Sequence, residues 1–278
     1  MQFSRENKIN IQQVITKCIP AFEKVLSGKD WDKVIQCYLR RVDSIPKEYN
    51  GLITSSCLMD LIICSLGEDQ TAKANQETIN AINDEICKAL TYCNYHPRFM
   101  GKVKDLIRKT IMEMDNDIWV PNSAFKNWIN ELFVFNLLAK KKECEIVDIE
   151  RPILNGKKCD FVCKIGNDEE VYFEVVTIQR IDPSLQDDST TMNAFIKERV
   201  KAKYQEKTKD LLPKDIPNIR ILPIIEYVDG LERFNISLNS DIATEPFAIM
   251  KNNLDGIVYI ELQPLHVYLS KISTQLKR

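Results

Sequence analysis

The stretch CDFVCKIGNDEEVYFEVVTI, residues 159–178, decides the fold of the second half of the chain. Two runs rich in Val, Phe and Ile flank the turn-forming residues 166–168, a pattern that predicts a β-hairpin. A turn centred on Asn167 places Asp160 directly opposite Glu174. Because side chains alternate between the two faces of a strand, both carboxylates then lie on one face, and the apolar side chains lie on the other.

Two carboxylates that face each other across a strand pair repel, and this face therefore has two interpretations. In the first, a divalent cation such as Mg²⁺ lies between them, because hard cations bind carboxylate oxygens. In the second, the face is solvated, and Lys164 forms an ordinary cross-strand ion pair with Glu170. Glu131 favours a metal, because it lies on an apolar stripe of a predicted helix, where a charged residue should be paired or bind an ion. The alternative for Glu131 is contact with solvent or with a neighbouring backbone group.

The sequence around the hairpin predicts the rest of this domain. A helix that is apolar nearly all round precedes the hairpin, and a basic amphipathic helix follows it. The predicted order is helix 123–142, strands 143–151, 159–165 and 170–178, helix 193–212, and strands 219–228 and 256–262. We therefore expect an α+β or α/β domain with a mixed central sheet.

The first part of the chain shows apolar residues at helical spacing. The predicted helical segments are 8–27, 30–42, 52–66, 71–93 and 99–114. Turn-forming and helix-capping residues follow between 115 and 123. We predict a helical domain over residues 1–118 and the sheet-containing domain over residues 119–278.

Composition excludes several classes of protein. The chain has 278 residues, 44% of them apolar, and a net charge of −2, as in folded soluble proteins. No two of its eight glycines are closer than ten residues, which excludes dinucleotide-binding and P-loop motifs, and its two histidines cannot form the zinc motif H-E-x-x-H. Nine cysteines without a C-x-x-C pair indicate reduced thiols and a cytoplasmic protein. The sequence also predicts no signal peptide, no membrane span and no membrane partner.

A helical acid, a strand Asp, a Glu on the partner strand and a basic helix follow one another between residues 120 and 265. In this combination the chain resembles the PD-(D/E)XK, or restriction-endonuclease-like, nuclease superfamily. The resemblance implies an αβββαβ core in which Glu131, Asp160 and Glu174 hold Mg²⁺ or Mn²⁺. It implies the carbonyl oxygen of Val175 as a further ligand. The implied reaction is hydrolysis of a DNA phosphodiester bond by a metal-activated water.

The chain departs from the superfamily motif at Val176, where a lysine is expected two positions after the second acid. An apolar side chain can neither orient the attacking water nor shield the charge of the transition state. Either a nearby cation replaces the lysine, or the domain has lost catalysis and kept binding. The candidates for the replacement cation are Lys164, Arg199 and Lys203.

The helix after the hairpin has seven basic residues and three acidic ones between Lys197 and Lys214. Such a surface predicts contacts of Arg199, Lys201 and Lys203 with DNA phosphates, with Arg180 at the end of the preceding strand as a further contact. The alternative is a solvated helix face.

The sequence thus predicts a metal-dependent DNA endonuclease, of restriction or defence type. Its expected catalytic residues are Asp160, Glu174, Glu131 and Lys164, and its expected cofactor is Mg²⁺ or Mn²⁺. The alternative is a catalytically degenerate nuclease fold that binds nucleic acid or a protein partner. The sequence leaves a homodimer open.

Overall fold

The computed structural model describes residues 8–43, 57–114, 124–166, 169–178, 189–226, 248–253 and 256–261, together with Leu269 and Thr274. The chain divides into two compact units. The first comprises Met1–Leu132 and Asn253–Ile257, and the second comprises Phe133–Asn252 and Val258–Arg278. Within the described ranges, no helix has both the length and the apolar character needed to cross a bilayer.

The first unit is built from helices, as the apolar spacing predicts. Its described helices are α1 (Lys8–Cys18), α2 (Gly28–Asp43), α3 (Leu58–Cys64), α4 (Gln70–Tyr95), α5 (Met100–Met112) and the first part of α6 (Ala124–Lys140), with 3₁₀ turns at Pro20–Lys24 and Pro97–Phe99. Asp69 caps the start of α4 by accepting the backbone N–H of Ala72 at 2.7 Å. The apolar stripe of α4 from Ile79 to Leu90 is buried against the neighbouring helices.

A buried ion pair joins α2 to α3. Arg41 and Asp60 are 1% and 3% exposed, and the guanidinium approaches the carboxylate with two nitrogens. Arg41 Nη2 lies 2.7 Å from Asp60 Oδ2, and Arg41 Nε lies 3.4 Å from Oδ1. This two-point geometry allows a desolvated pair to satisfy its own charges.

The second unit contains a mixed sheet. The strands are β1 (Cys144–Pro152), β2 (Lys158–Ile165), β3 (Glu169–Ile178), β4 (Ile219–Glu226), β5 (Ala248–Asn253) and β6 (Gly256–Glu261), and α7 (Ser189–Thr208) connects β3 to β4. The last residue of β5 and the first two of β6 are assigned to the first unit. In the described residues the strands follow the order β1-β2-β3-β4-β5-β6. β2 is antiparallel to both β1 and β3, whereas β4 is parallel to both β3 and β5. The predicted mixed α+β class, with a helical first part, is confirmed.

The predicted hairpin register is confirmed from Ile165 to Phe161, but the predicted pair of Asp160 with Glu174 is not part of the observed register. Lys164 pairs with Glu170, and Phe161 pairs with Phe173. The sequence prediction missed one strand, β5, because its apolar residues are too few to stand out. It also placed the end of α7 at Leu212, four residues beyond the observed end at Thr208.

Helices cover both faces of the sheet. The ring of Phe135 on α6 packs against that of Phe161 on one face, with the ring centroids 6.2 Å apart. On the opposite face, Ile196 and Val200 of α7 pack in one apolar cluster with Ile178 of β3. Because β3 side chains alternate, Glu174 lies on the same face as Ile178. The fold therefore places a carboxylate beneath α7.

Candidate active site

Glu174 is a buried carboxylate in the middle of the sheet. It lies on β3, pairs with Ile221 of β4 and is 2% exposed. A buried charge must be compensated by partners, since its desolvation is costly. Lys203 Nζ lies 3.2 Å from Glu174 Oε1, and Lys207 Nζ lies 2.8 Å from Oε2. Lysines four residues apart lie on one face of a helix, so a single face of α7 delivers both ammonium groups.

The two lysines differ in exposure and in their other contacts. Lys207 is buried, and its ammonium also donates a hydrogen bond to the carbonyl oxygen of Lys158. The Lys203 side chain is 27% exposed, and its Nζ atom also lies 3.4 Å from Oε2 of a second carboxylate, that of Glu206. Lys207 is therefore held by buried protein groups, whereas Lys203 is accessible from solvent.

Asp160 lies beside this cluster. Pairing of β2 with β3 is regular as far as Phe161 and Phe173. One residue further along β2, Asp160 Oδ2 accepts the backbone N–H of Val175 at 2.7 Å. This hydrogen bond ties the first acid of the predicted motif to the residue that follows the second acid.

The charges of the cluster interact strongly. Burial, and then the charge of Glu174, raises the pKa of Asp160 to about 7, although the Val175 N–H and the two lysines oppose the rise. Burial also raises the pKa of Glu174, against the opposing effect of Lys207 and Lys203. Burial acts to lower the pKa of Lys203, but the nearby carboxylates outweigh it and hold that pKa above its ordinary value. The pKa values of both carboxylates are thus raised, and that of Asp160 lies near neutral pH.

The other predicted site residues lie at different places. Lys164 is four residues along β2 from Asp160, about 13 Å at the rise of a strand, and it faces Glu170 and Glu145 on the neighbouring strands. Glu131 is half-buried on α6 and belongs to the first unit, so its role as a third metal ligand stays a prediction.

The residues predicted to contact phosphates do not all lie on the exposed surface of α7. Arg199 and Lys201 are exposed on α7, and the Arg199 guanidinium lies 5.4 Å from the ring centroid of Phe195. Lys203 instead faces Glu174. Arg180 lies outside the described residues.

Lys207 is the residue that the sequence prediction missed. It was counted in the basic run of the helix but not as a cation of the site. A signal was present, because Ile196, Val200, Lys203 and Lys207 form a continuous row at spacings of four, three and four residues. A row that begins with buried apolar residues should continue to face the sheet.

The oxygen atoms of Asp160 and Glu174 are suitable ligands for Mg²⁺ or Mn²⁺. Mg²⁺ in proteins is commonly bound through one or two carboxylates, with water and substrate phosphates as its other ligands. Glu174 Oε2 lies 2.8 Å from the buried Lys207 Nζ, whereas Oε1 lies 3.2 Å from Lys203, which is accessible from solvent. The donor set therefore fits a hard cation. Within the described residues, however, no three His, Cys, Asp or Glu side chains form a group that could hold a metal.

Comparison of the chain with protein families, with curated proteins and with solved structures found no match in any of the three.

The raised pKa of Asp160 predicts a pH-dependent stability difference between the protein and its Asp160→Asn variant. The folded state holds the Asp160 proton up to about pH 7, whereas the unfolded chain releases it near the ordinary value of 3.8. The stabilising contribution of the protonated group is complete below about pH 4 and is lost as the pH rises through 7. Asn cannot ionise and still accepts the Val175 N–H. Its melting-temperature advantage over wild type should therefore grow from pH 4 to pH 7 and then level off.

Thermal melts between pH 4 and pH 8 measure this difference. When both proteins also carry Glu174→Gln, the melting-temperature difference should stop growing at a lower pH, because the negative charge that raises the pKa of Asp160 is absent. A difference that stays constant with pH in both backgrounds would show that Asp160 does not titrate as described.

Proposed function

We propose that the second unit is a metal-dependent nuclease that hydrolyses DNA phosphodiester bonds, of a restriction or defence type. The observation that carries the proposal is the approach of Lys203 and Lys207 to Glu174, beside Asp160. The sequence lacks the motif lysine at Val176, and α7 supplies ammonium groups to the same carboxylate. In this proposal the site has the two acids of the PD-(D/E)XK motif, and α7 provides the cation that the motif places on the strand.

Val176 itself cannot supply the missing charge. It is a partly buried apolar side chain packed against the cluster that α7 forms with β3 and β4. A lysine at that position would compete with α7 for the same space. A cation on the helix therefore replaces one on the strand without disturbing this packing.

The proposed roles follow from exposure and contacts. Asp160 and Glu174 would hold Mg²⁺ or Mn²⁺, with the Val175 carbonyl as a further ligand implied by the resemblance. The bound metal would polarise the phosphate and acidify a water molecule. Lys203 is exposed enough to meet a phosphate, so it would shield the negative charge that develops on the phosphate oxygens. Lys207 is buried and would hold the Glu174 carboxylate in place.

A second candidate function is binding of nucleic acid or of a protein partner without catalysis. One observation favours it: each carboxylate oxygen of Glu174 lies within ion-pair distance of a lysine ammonium. A degenerate site could keep such a pair as a purely structural element. Variants of the lysines and acids distinguish the two functions.

Nicking of supercoiled plasmid in Mg²⁺ or Mn²⁺ tests the proposed activity. Wild type should nick the plasmid, and Glu174→Ala should lose the activity. Lys203→Met should reduce the rate by about 10²- to 10⁴-fold, the range for loss of a positioned acid–base or charge-stabilising group. Lys142→Met removes an exposed lysine of the same unit and is the matched control, with a rate close to that of wild type.

Two outcomes would contradict the proposal. Cleavage that survives Glu174→Ala would show that the active site lies elsewhere. An absence of cleavage by the folded wild type with either metal would favour the non-catalytic binding function.

The exposed basic residues of α7 predict the DNA-binding surface. Because Lys203 is assigned to the phosphate that is cleaved, we expect Arg199 and Lys201 to contact the flanking phosphates. Changing both residues to Gln should weaken binding at every DNA sequence. It should also make the dependence of log K on log salt shallower by about 2, since each phosphate contact contributes about 0.9.

Fluorescence anisotropy at several salt concentrations measures this slope. Changing Lys29 and Lys33 to Gln is the charge-matched control, because both are exposed on α2 of the first unit. Equal slopes for the α7 variant and wild type would place the DNA surface elsewhere.

A further inference from the structure

The turn between β1 and β2 is bonded to the end of α7 that carries the site lysines. Asn155 Nδ2 donates hydrogen bonds to the carbonyl oxygens of Lys207, at 2.8 Å, and of Lys209, at 2.7 Å. The last carbonyl groups of a helix have no partners within the helix, so an outside donor is needed to satisfy them. Asn155 is that donor for the last turn of α7.

The same turn holds the other end of Lys207. The Lys207 ammonium donates to the carbonyl oxygen of Lys158, three residues after Asn155. The short segment 155–158 therefore fixes both the backbone and the Nζ atom of this lysine. With both ends held, Nζ is placed 2.8 Å from Glu174 Oε2.

The local structure of the turn explains how Asn155 can reach α7. Asn155 Oδ1 accepts the N–H of Lys157 at 3.0 Å, which orients the amide so that its NH₂ group faces the helix. Gly156 has a φ of +79°, a conformation that favours glycine, and it allows the tight reversal. The turn is closed by a backbone hydrogen bond from Ile153 N–H to the Lys157 carbonyl at 2.7 Å.

The C-terminal end of α7, which accepts the hydrogen bonds of Asn155, also has a defined backbone conformation. α7 ends at Thr208, and Asp210 adopts the left-handed conformation with a φ of 67°. A left-handed residue just after the last turn is a common way to end a helix, usually with Gly. The chain therefore leaves the helix one residue after Lys207, and the carbonyl groups of Lys207 and Lys209 are available to Asn155.

We infer that Asn155 is a positioning residue of the candidate active site, which holds Lys207 against Glu174 through a two-point clamp formed by residues 155–158. The inference rests on the proposed nuclease function for its catalytic consequence, but the clamp itself can be tested without activity. A displacement of about 1 Å in a catalytic group can cost about 100-fold in rate. Loss of the clamp should therefore lower kcat while leaving DNA affinity nearly unchanged.

The decisive variant is Asn155→Asp. Asp has nearly the same shape and keeps an oxygen for the Lys157 N–H, but it has no donor for the two α7 carbonyls. Leu154→Ala is the matched control, because Leu154 precedes Asn155 in the same turn and is 78% exposed.

The test is an NMR spectrum of the full-length protein labelled with ¹⁵N-lysine, recorded without metal or DNA. A buried, hydrogen-bonded ammonium exchanges its protons slowly, so wild type should give a Lys207 Nζ signal that Lys207→Met lacks. The signal should broaden or vanish in Asn155→Asp and persist in Leu154→Ala. If Asn155→Asp does not fold, Asn155→Ser replaces it, and its single hydroxyl should give an intermediate signal. A sharp, unshifted signal in either folded Asn155 variant would overturn the clamp.

Steady-state cleavage kinetics provide the second readout. Asn155→Asp should lower kcat by about 10- to 100-fold with KM close to that of wild type, as for residues that orient catalytic groups. A loss of thermal stability with kcat unchanged would overturn the positioning role. An inactive wild type would contradict the proposed function, and the NMR signal would then decide the clamp separately.

Discussion

The buried carboxylate of Glu174 is the constraint on which the second unit depends. A charge that is 2% exposed in the middle of a sheet is tolerated only when opposite charges surround it. Lys203 and Lys207 supply those charges, so α7 must lie over β3 with one particular face towards the sheet. The contacts that neutralise the buried charge therefore also place two ammonium groups beside Asp160. Stability and the assembly of the candidate site depend on the same set of side chains.

The hairpin and its two acids could be predicted because they depend on local sequence. The short connection between β2 and β3 sets the register, and the period of two residues then decides which side chains share a face. Lys203 was also among the predicted cations. Lys207 was missed because it was counted only among the basic residues of the helix, although it continues the row of Ile196, Val200 and Lys203 that faces the sheet.

The clamp on α7 could not be predicted from the sequence because it depends on residues far apart in the chain. Asn155 and Lys207 are separated by 52 positions, and an Asn-Gly pair predicts a turn but not what its amide group contacts. The raised pKa of Asp160 has the same origin, since it depends on burial beneath elements that follow later in the sequence. The end of α7 was placed too late because an Asp in the left-handed conformation, rather than a Gly, ends the helix.

Neutralisation of Glu174 by two lysines has a consequence for metal binding. A divalent cation at Asp160 and Glu174 must compete with an ammonium, and Lys203 is the one with access to solvent. The most direct measurement is a crystal structure of the protein in millimolar Mn²⁺, with the ion located by its anomalous scattering. The account predicts a peak at the carboxylates of Asp160 and Glu174, with Lys203 displaced from Oε1 and Lys207 still in place. Both lysines on Glu174, with no anomalous peak at these carboxylates, would contradict it.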